Sequence, residues 1–193
     1  MQLEISFKRD PLKLPKRYEI LERQILSMGG DISTIVRKID SASEHVESLL
    51  SKVQVGGAGQ FQLFAGESGS GKTTFLRTLA QFFEEIYVHT FQANDSLSSM
   101  IDFIRNHDSK EKNKIFIIDE KDNPVFDKDE YRVFFEKLRI LFREPVGEVL
   151  LIWPITDKVA AKNIGDLAWE VGRQSISPNS GPIYEFTGLP QSA

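Results

Sequence analysis

Apolar residues follow two periods along this chain, and the alternation between them outlines its architecture. Compact apolar runs at 61–65 (FQLFA), 86–91 (IYVHTF), 114–119 (KIFIID), 149–153 (VLLIW) and 183–186 (IYEF) read as strands, most of them buried. Between them apolar positions recur at helical spacing. One helix follows the first strand at 74–80, and a short one carries Leu97, Met100, Ile101 and Ile104. A third, over 129–143, buries Val133, Phe134, Leu138, Leu141 and Phe142, and a fourth spans 157–171. Pro145 and Gly147 end the third helix, and Pro154 stops the strand at 149–153. Strands that alternate with helices predict an α/β fold, a parallel sheet covered on both faces. Ligands of such sheets bind at the carboxyl ends of the strands.

The first 55 residues lack strands. Pro15 suits a first helical turn and Gly29-Gly30 a helix end, with Tyr18, Ile20, Leu21, Ile25, Leu26 and Met28 between them. Asp31 can cap a second helix on which Ile32, Ile35, Val36, Ile39, Val46, Leu49, Leu50 and Val53 share a face. A helix docked on its own sheet is expected there rather than a dimerising coiled coil. The break Gly56-Gly57-Ala58-Gly59 divides this helical segment, 1–55, from a core at 56–193, the two forming one domain.

Composition narrows the picture. With 193 residues, 40% hydrophobic and 27% charged, the chain suits one globular domain with a sizeable core. A net charge of −4 supplies no general attraction to nucleic acid, although a local basic groove stays compatible with it. The absence of cysteine removes disulfides, thiolate metal sites and cysteine nucleophiles. His45, His89 and His107 have no metal-ligand spacing. No signal-peptide or membrane-spanning run is visible, which leads us to expect a cytoplasmic protein without a membrane partner.

Chemistry enters at residues 66–74, G-E-S-G-S-G-K-T-T, between the first strand and its helix. That context turns the pattern into a phosphate-binding loop, comprising Gly66, Glu67, Ser68, Gly69, Ser70, Gly71, Lys72, Thr73 and Thr74. Glycines at 66, 69 and 71 let the backbone curl close to an anion, with N–H groups turned inward at a helix N-terminus. Lys72 is expected to reach the β- and γ-phosphates, and the Thr73 hydroxyl to ligate Mg²⁺. The ligand class is therefore a nucleoside triphosphate.

A second site lies at Asp119-Glu120, where the apolar strand 115–118 ends. Asp119 is expected to hold Mg²⁺ and Glu120 to polarise the attacking water. A solvated acidic turn is the plainer alternative.

The phosphate loop, one intervening β-α unit and the Asp119-Glu120 pair together resemble the AAA+ ATPases over residues 60–190. The resemblance implies a three-layer P-loop fold with a five-stranded parallel sheet in the order 5-1-4-3-2. It also implies ATP hydrolysis, with Mg²⁺ as cofactor, coupled to conformational change or assembly. In that family a polar residue after the next strand senses the γ-phosphate, and Thr156 is the candidate; Thr156-Asp157 equally reads as a helix cap. The family also places an arginine before the last core strand that reaches a neighbouring subunit, in a homo-oligomer or a partner. Arg173 occupies that position, with Arg139 and Arg143 as weaker rivals. The family's helical lid would begin just after Pro190, where this sequence ends, so a segment of a longer protein is expected rather than a minimal ATPase core.

Other nucleotide-binding classes fit less well. Thr156-Asp157-Lys158 lacks the Asn-Lys-x-Asp order that reads guanine, and Asp119 opens no D-x-x-G switch. No L-S-G-G-Q-like signature of a transporter ATPase is present. Two further readings remain: a nucleotide-dependent switch of the signalling or defence type, with slow or no hydrolysis, and a DNA-associated motor or loader.

Overall fold

The computed structural model describes residues 44–46, 48–49, 59–68, 72, 76, 86–92, 95–107, 113–118, 127–144 and 148–186. Five strands, β1 (Gln60–Ala65), β2 (Ile86–Phe91), β3 (Asn113–Ile118), β4 (Glu148–Ile155) and β5 (Ile183–Glu185), form one sheet. Its order is β2-β3-β4-β1-β5 and every pairing is parallel. This is the expected order 5-1-4-3-2 read from the other edge. Three α-helices follow β2, β3 and β4: α1 (Leu97–Asn106), α2 (Lys128–Leu141) and α3 (Lys158–Gly172).

Side-chain alternation along the strands divides the core in two. Phe61, Leu63 and Ala65 of β1, Phe116 and Ile118 of β3, and Val149, Leu151, Trp153 and Ile155 of β4 face α1, α2 and α3. Phe64, Ile115, Ile117, Leu150 and Ile152 face the other way, with Val46, Leu49, Leu76 and Phe186. The handedness of crossovers accounts for this division. From β1 to β2 the chain moves across the sheet in one direction, and from β2 through β3 and β4 to β5 it returns. Right-handed connections then carry α1, α2 and α3 over one face, whereas Leu76, after β1, packs on the other. Neighbouring β1 and β4 therefore send their exits to opposite faces, which opens a crevice between their carboxyl ends.

Each described helix is bounded by local chemistry. Ser96 caps α1, its hydroxyl accepting from the Ser99 N–H. Asp127 caps α2 and Asp157 caps α3, each carboxylate accepting from two backbone N–H groups. Leu97, Met100, Ile101 and Ile104 form the buried face of α1, as the spacing predicts.

On α2 the buried set is Tyr131, Phe134, Phe135, Leu138 and Leu141, followed by Phe142. Val133, expected in the core, is 48% exposed. The stripe centred on 134, 138 and 141 widens toward 131 and 135, and 133 falls on its outer border. Tyr131 stacks on Trp153 with ring centroids 5.6 Å apart, and burial, then Glu130, pushes its phenol up to about 12. On the surface Arg132 donates to Glu170 at 2.9 Å, tying α2 to α3. That hydrogen bond raises the Arg132 pKa and lowers that of Glu170.

The strand β4 continues through Pro154 to Ile155 instead of stopping at it. Its last rung with β3 joins Ile117 to Ile152, whereas pairing with β1 extends through Phe64–Pro154 and Ala65–Ile155. Pro154 lies beyond the β3 ladder, so its missing N–H breaks no β3 rung, and the strand end behaves as an edge. The helix ends at Leu141, ahead of Pro145 and Gly147, which lie outside the described residues.

Among residues 1–55 the description covers helical residues 44–46 and 48–49. Val46 and Leu49 are buried against the sheet, and His45 stacks on Tyr184 of β5 at 4.0 Å. His45 also hydrogen-bonds the buried Gln62 side chain at 3.1 Å. The remainder of that expected helical segment, the coiled-coil alternative included, lies outside the described residues.

Candidate functional site

The site grows from the crevice between β1 and β4. At the end of β1 the chain turns into the glycine-rich loop, and the Gly66 N–H donates to the Ile155 carbonyl at 3.1 Å. That bond fixes the mouth of the loop against the last residue of β4. Lys72 follows in helical conformation and is 4% exposed, a rare degree of burial for lysine. Its Nζ donates to Thr156 Oγ1 at 2.8 Å. Lys72 and Thr156, chosen from separate stretches of sequence, thus meet at the carboxyl end of the sheet.

Thr156 and Asp157 make different contacts. Asp157 is the cap: its Oδ1 accepts from Val159 N at 2.8 Å and Ala160 N at 3.2 Å. Thr156 is thereby released from capping, and its half-buried hydroxyl turns to the lysine. A third link spans the exposed rim, where Lys158 Nζ lies 3.8 Å from Glu67 Oε1. Three contacts therefore join the glycine-rich loop and Lys72 to the β4–α3 junction, through Gly66, Glu67 and Lys72.

The remaining expected site residues divide by position. Gly69, Ser70, Gly71, Thr73, Thr74, Asp119 and Glu120 lie outside the described residues. Asp119 and Glu120 come directly after Ile118, the last residue of β3, whose carboxyl end lies on the same side of the sheet. Glu67 and Ser68 are exposed and Gly66 is buried. Among the described residues no cluster of three or more histidines and carboxylates could hold a metal by itself.

Arg173 is not part of this cluster. It follows α3, whose first turn adjoins the site, and a helix of this length puts it about 20 Å away. It is exposed and adopts φ 45° and ψ −132°, a backbone region unusual for any residue but glycine. Arg139, half-buried, and Arg143, exposed, lie at the end of α2 that is likewise remote from the loop. None of the three adjoins the Lys72–Thr156 cluster.

In the sequence Lys158 has a place only in the guanine-reading pattern, and its contact with Glu67 is not legible there. What the sequence does carry is a lysine directly after a capping Thr-Asp pair, at the start of the helix following β4.

No protein-family model matches the chain, and no curated protein matches it. Solved structures with a similar arrangement include Drosophila ORC bound to poly(dA/dT) DNA and Cdc6. There the identity is 12% over 94% of this chain and 35% of the other, with a TM-score of 0.49. Drosophila ORC bound to AT-rich DNA and Cdc6 gives 12% identity over 100% and 36%, with a TM-score of 0.44. The VirB11 ATPase of the Brucella suis type IV secretion system, in complex with sulphate, gives 14% over 86% and 52%, with a TM-score of 0.36. This chain therefore spans about a third of the first two chains and about half of the third. No described helix is long and apolar enough to cross a membrane.

Proposed function

We propose that the chain is an ATPase module of AAA+ type, binding Mg-ATP and hydrolysing it to ADP and phosphate. One observation carries the reading: a buried lysine, Lys72, at the head of the glycine loop, held 2.8 Å from a hydroxyl on the neighbouring strand's exit. A buried ammonium directly after a glycine-rich loop suits the charge of a triphosphate held by that loop. The donor set fits a magnesium nucleotide. Lys72 and the loop backbone take the phosphates, while the Thr73 hydroxyl and Asp119 carboxylate are oxygen ligands of the type magnesium prefers. When bound, magnesium would neutralise charge on the β- and γ-phosphoryl oxygens.

The protein's own groups then have separate tasks. Lys72 and the loop hold the β- and γ-phosphates in line, and Thr156 registers the γ-phosphate through the lysine it already contacts. Glu120 accepts a proton from the water whose oxygen attacks phosphorus; the bond to the bridging oxygen breaks and ADP leaves with that electron pair. Arg173, remote from its own site, would act only on a neighbouring subunit's nucleotide. The helical segment 1–55 would pack on the 56–193 core as part of the same domain.

Binding and turnover measured on two variants test the proposal. Glu120→Gln should retain ATP binding and lose turnover by about two to three orders of magnitude. Lys72→Ala should lose binding itself. Unchanged turnover in Glu120→Gln would remove Glu120 from the mechanism, and unchanged binding in Lys72→Ala would overturn the phosphate-loop reading.

A further inference from the structure

The ion pair between Lys158 and Glu67 adds little stability to the junction it spans. Its side chains are 74% and 75% exposed, and the separation of 3.8 Å lies near the limit of direct contact. A pair so open to water holds weakly and exchanges readily. Nor does α3 need it, because Asp157 already satisfies the helix's first N–H groups. Its position is distinctive. Glu67 is the second residue of the glycine loop, and Lys158 is two residues past Thr156, whose hydroxyl contacts Lys72.

The charges around the rim explain why a second cation matters there. Lys72 is the described cation inside the crevice, whereas Glu67 and Asp157 place two carboxylates at its edge. Those acids would repel an incoming triphosphate more than a diphosphate, which carries less charge. From the geometry we infer that Lys158 is a specificity-determining residue that contacts the γ-phosphate within its own chain, with Glu67 holding its ammonium until that phosphate arrives. The inference rests on the ATP-binding reading above. A flexible lysine stem lets the ammonium pass from a monoanionic carboxylate to the more highly charged phosphate without moving α3. ADP, lacking that group, leaves the Glu67 pair in place.

Equilibrium binding of Mg-ATP and Mg-ADP to the full chain tests this, with thermal melts confirming that each variant is folded. Lys158→Ala should weaken ATP by about tenfold, the loss of one charge-assisted contact, and leave ADP within about twofold. Lys158→Arg should restore most of the preference. Glu67→Gln, which frees the ammonium and removes one rim carboxylate, should tighten ATP more than ADP, raising the ATP-to-ADP preference by about twofold to threefold. An unchanged ATP-to-ADP ratio in Lys158→Ala, or an equal loss for both nucleotides, would overturn the inference while leaving the loop's role intact. If the wild-type chain bound neither nucleotide, the ATP-binding reading would fall and take this inference with it.

Discussion

At its first turn α3 is surrounded by charge and hydrogen bonds: Asp157 caps it, Thr156 meets Lys72, and Lys158 reaches Glu67. At its last turn, apart from the exposed Arg132–Glu170 ion pair, the same helix is shaped by sterics. Gly172 is buried against Ile176, and a Cβ built on it would lie 2.3 Å from Ile176 Cγ1. Arg173 then turns the chain with a positive φ, its N–H donating to the Trp169 carbonyl. The contrast follows from the sheet. The first turn of α3 stands at the carboxyl ends of the strands, where ligands bind; the last stands at the amino ends, where the chain must return to start β5. Substitutions at the first end should therefore act on nucleotide handling, and those at the second on folding.

The largest effect is expected at Thr156. Thr156→Val keeps the shape, removes the hydroxyl that accepts from Lys72 and leaves the lysine's other contacts in place. Turnover should fall by about a hundredfold with a melting temperature close to wild type, and Thr156→Ser should recover most of it. A fall in stability that matches the fall in turnover would show Thr156 to be a packing residue and blur the contrast between the two ends. Gly172→Ala should do the reverse. Ile176 is fully buried and β-branched, so it cannot swing clear of the new methyl group. A loss of about 1–3 kcal/mol in chemical denaturation is expected, with nucleotide affinity of the folded fraction retained.

These positions also show how far sequence alone reaches. Strands β1 to β4 were legible because each carries apolar residues on both faces, and the glycine loop because its residues are contiguous. Val133 was misread because a helical stripe fixes its centre better than its border. The run of β4 through Pro154 was hidden because tolerance of proline depends on how far the neighbouring β3 ladder extends. At the site, Lys72 stood out in the motif, whereas its hydrogen bond to Thr156 depends on Asp157 taking the cap, which the Thr156-Asp157 pair leaves open in sequence. The Glu67–Lys158 contact and the remoteness of Arg173 are properties of the folded chain, since each depends on where α3 starts and stops in space.

A smaller effect separates capping from phosphate chemistry within the first turn itself. Asp157→Ala removes the acceptor of two N–H groups and should cost about 1 kcal/mol in denaturation. Asp157→Asn keeps an acceptor and removes the negative charge, so it should hold stability while tightening ATP slightly. If both variants lost the same stability, the carboxylate's charge rather than its hydrogen bonds would be what the helix needs.

The smallest expected change is at Arg173, and it bears most directly on whether the far end of α3 is purely structural. Glycine adopts φ 45° and ψ −132° without Cβ strain, so Arg173→Gly should stabilise the chain by about 0.5–1 kcal/mol after the added freedom of the unfolded state is counted. Arg173→Ala should bring no such gain, because alanine keeps the strain and removes only the guanidinium. Turnover of any assembled complex divides the same pair differently. A guanidinium acting on a neighbour's nucleotide would make both variants equally slow, the more stable glycine variant included. If both turn over like wild type, arginine at this turn has no part in hydrolysis, and the contrast between the charged and the steric ends of α3 stands without exception.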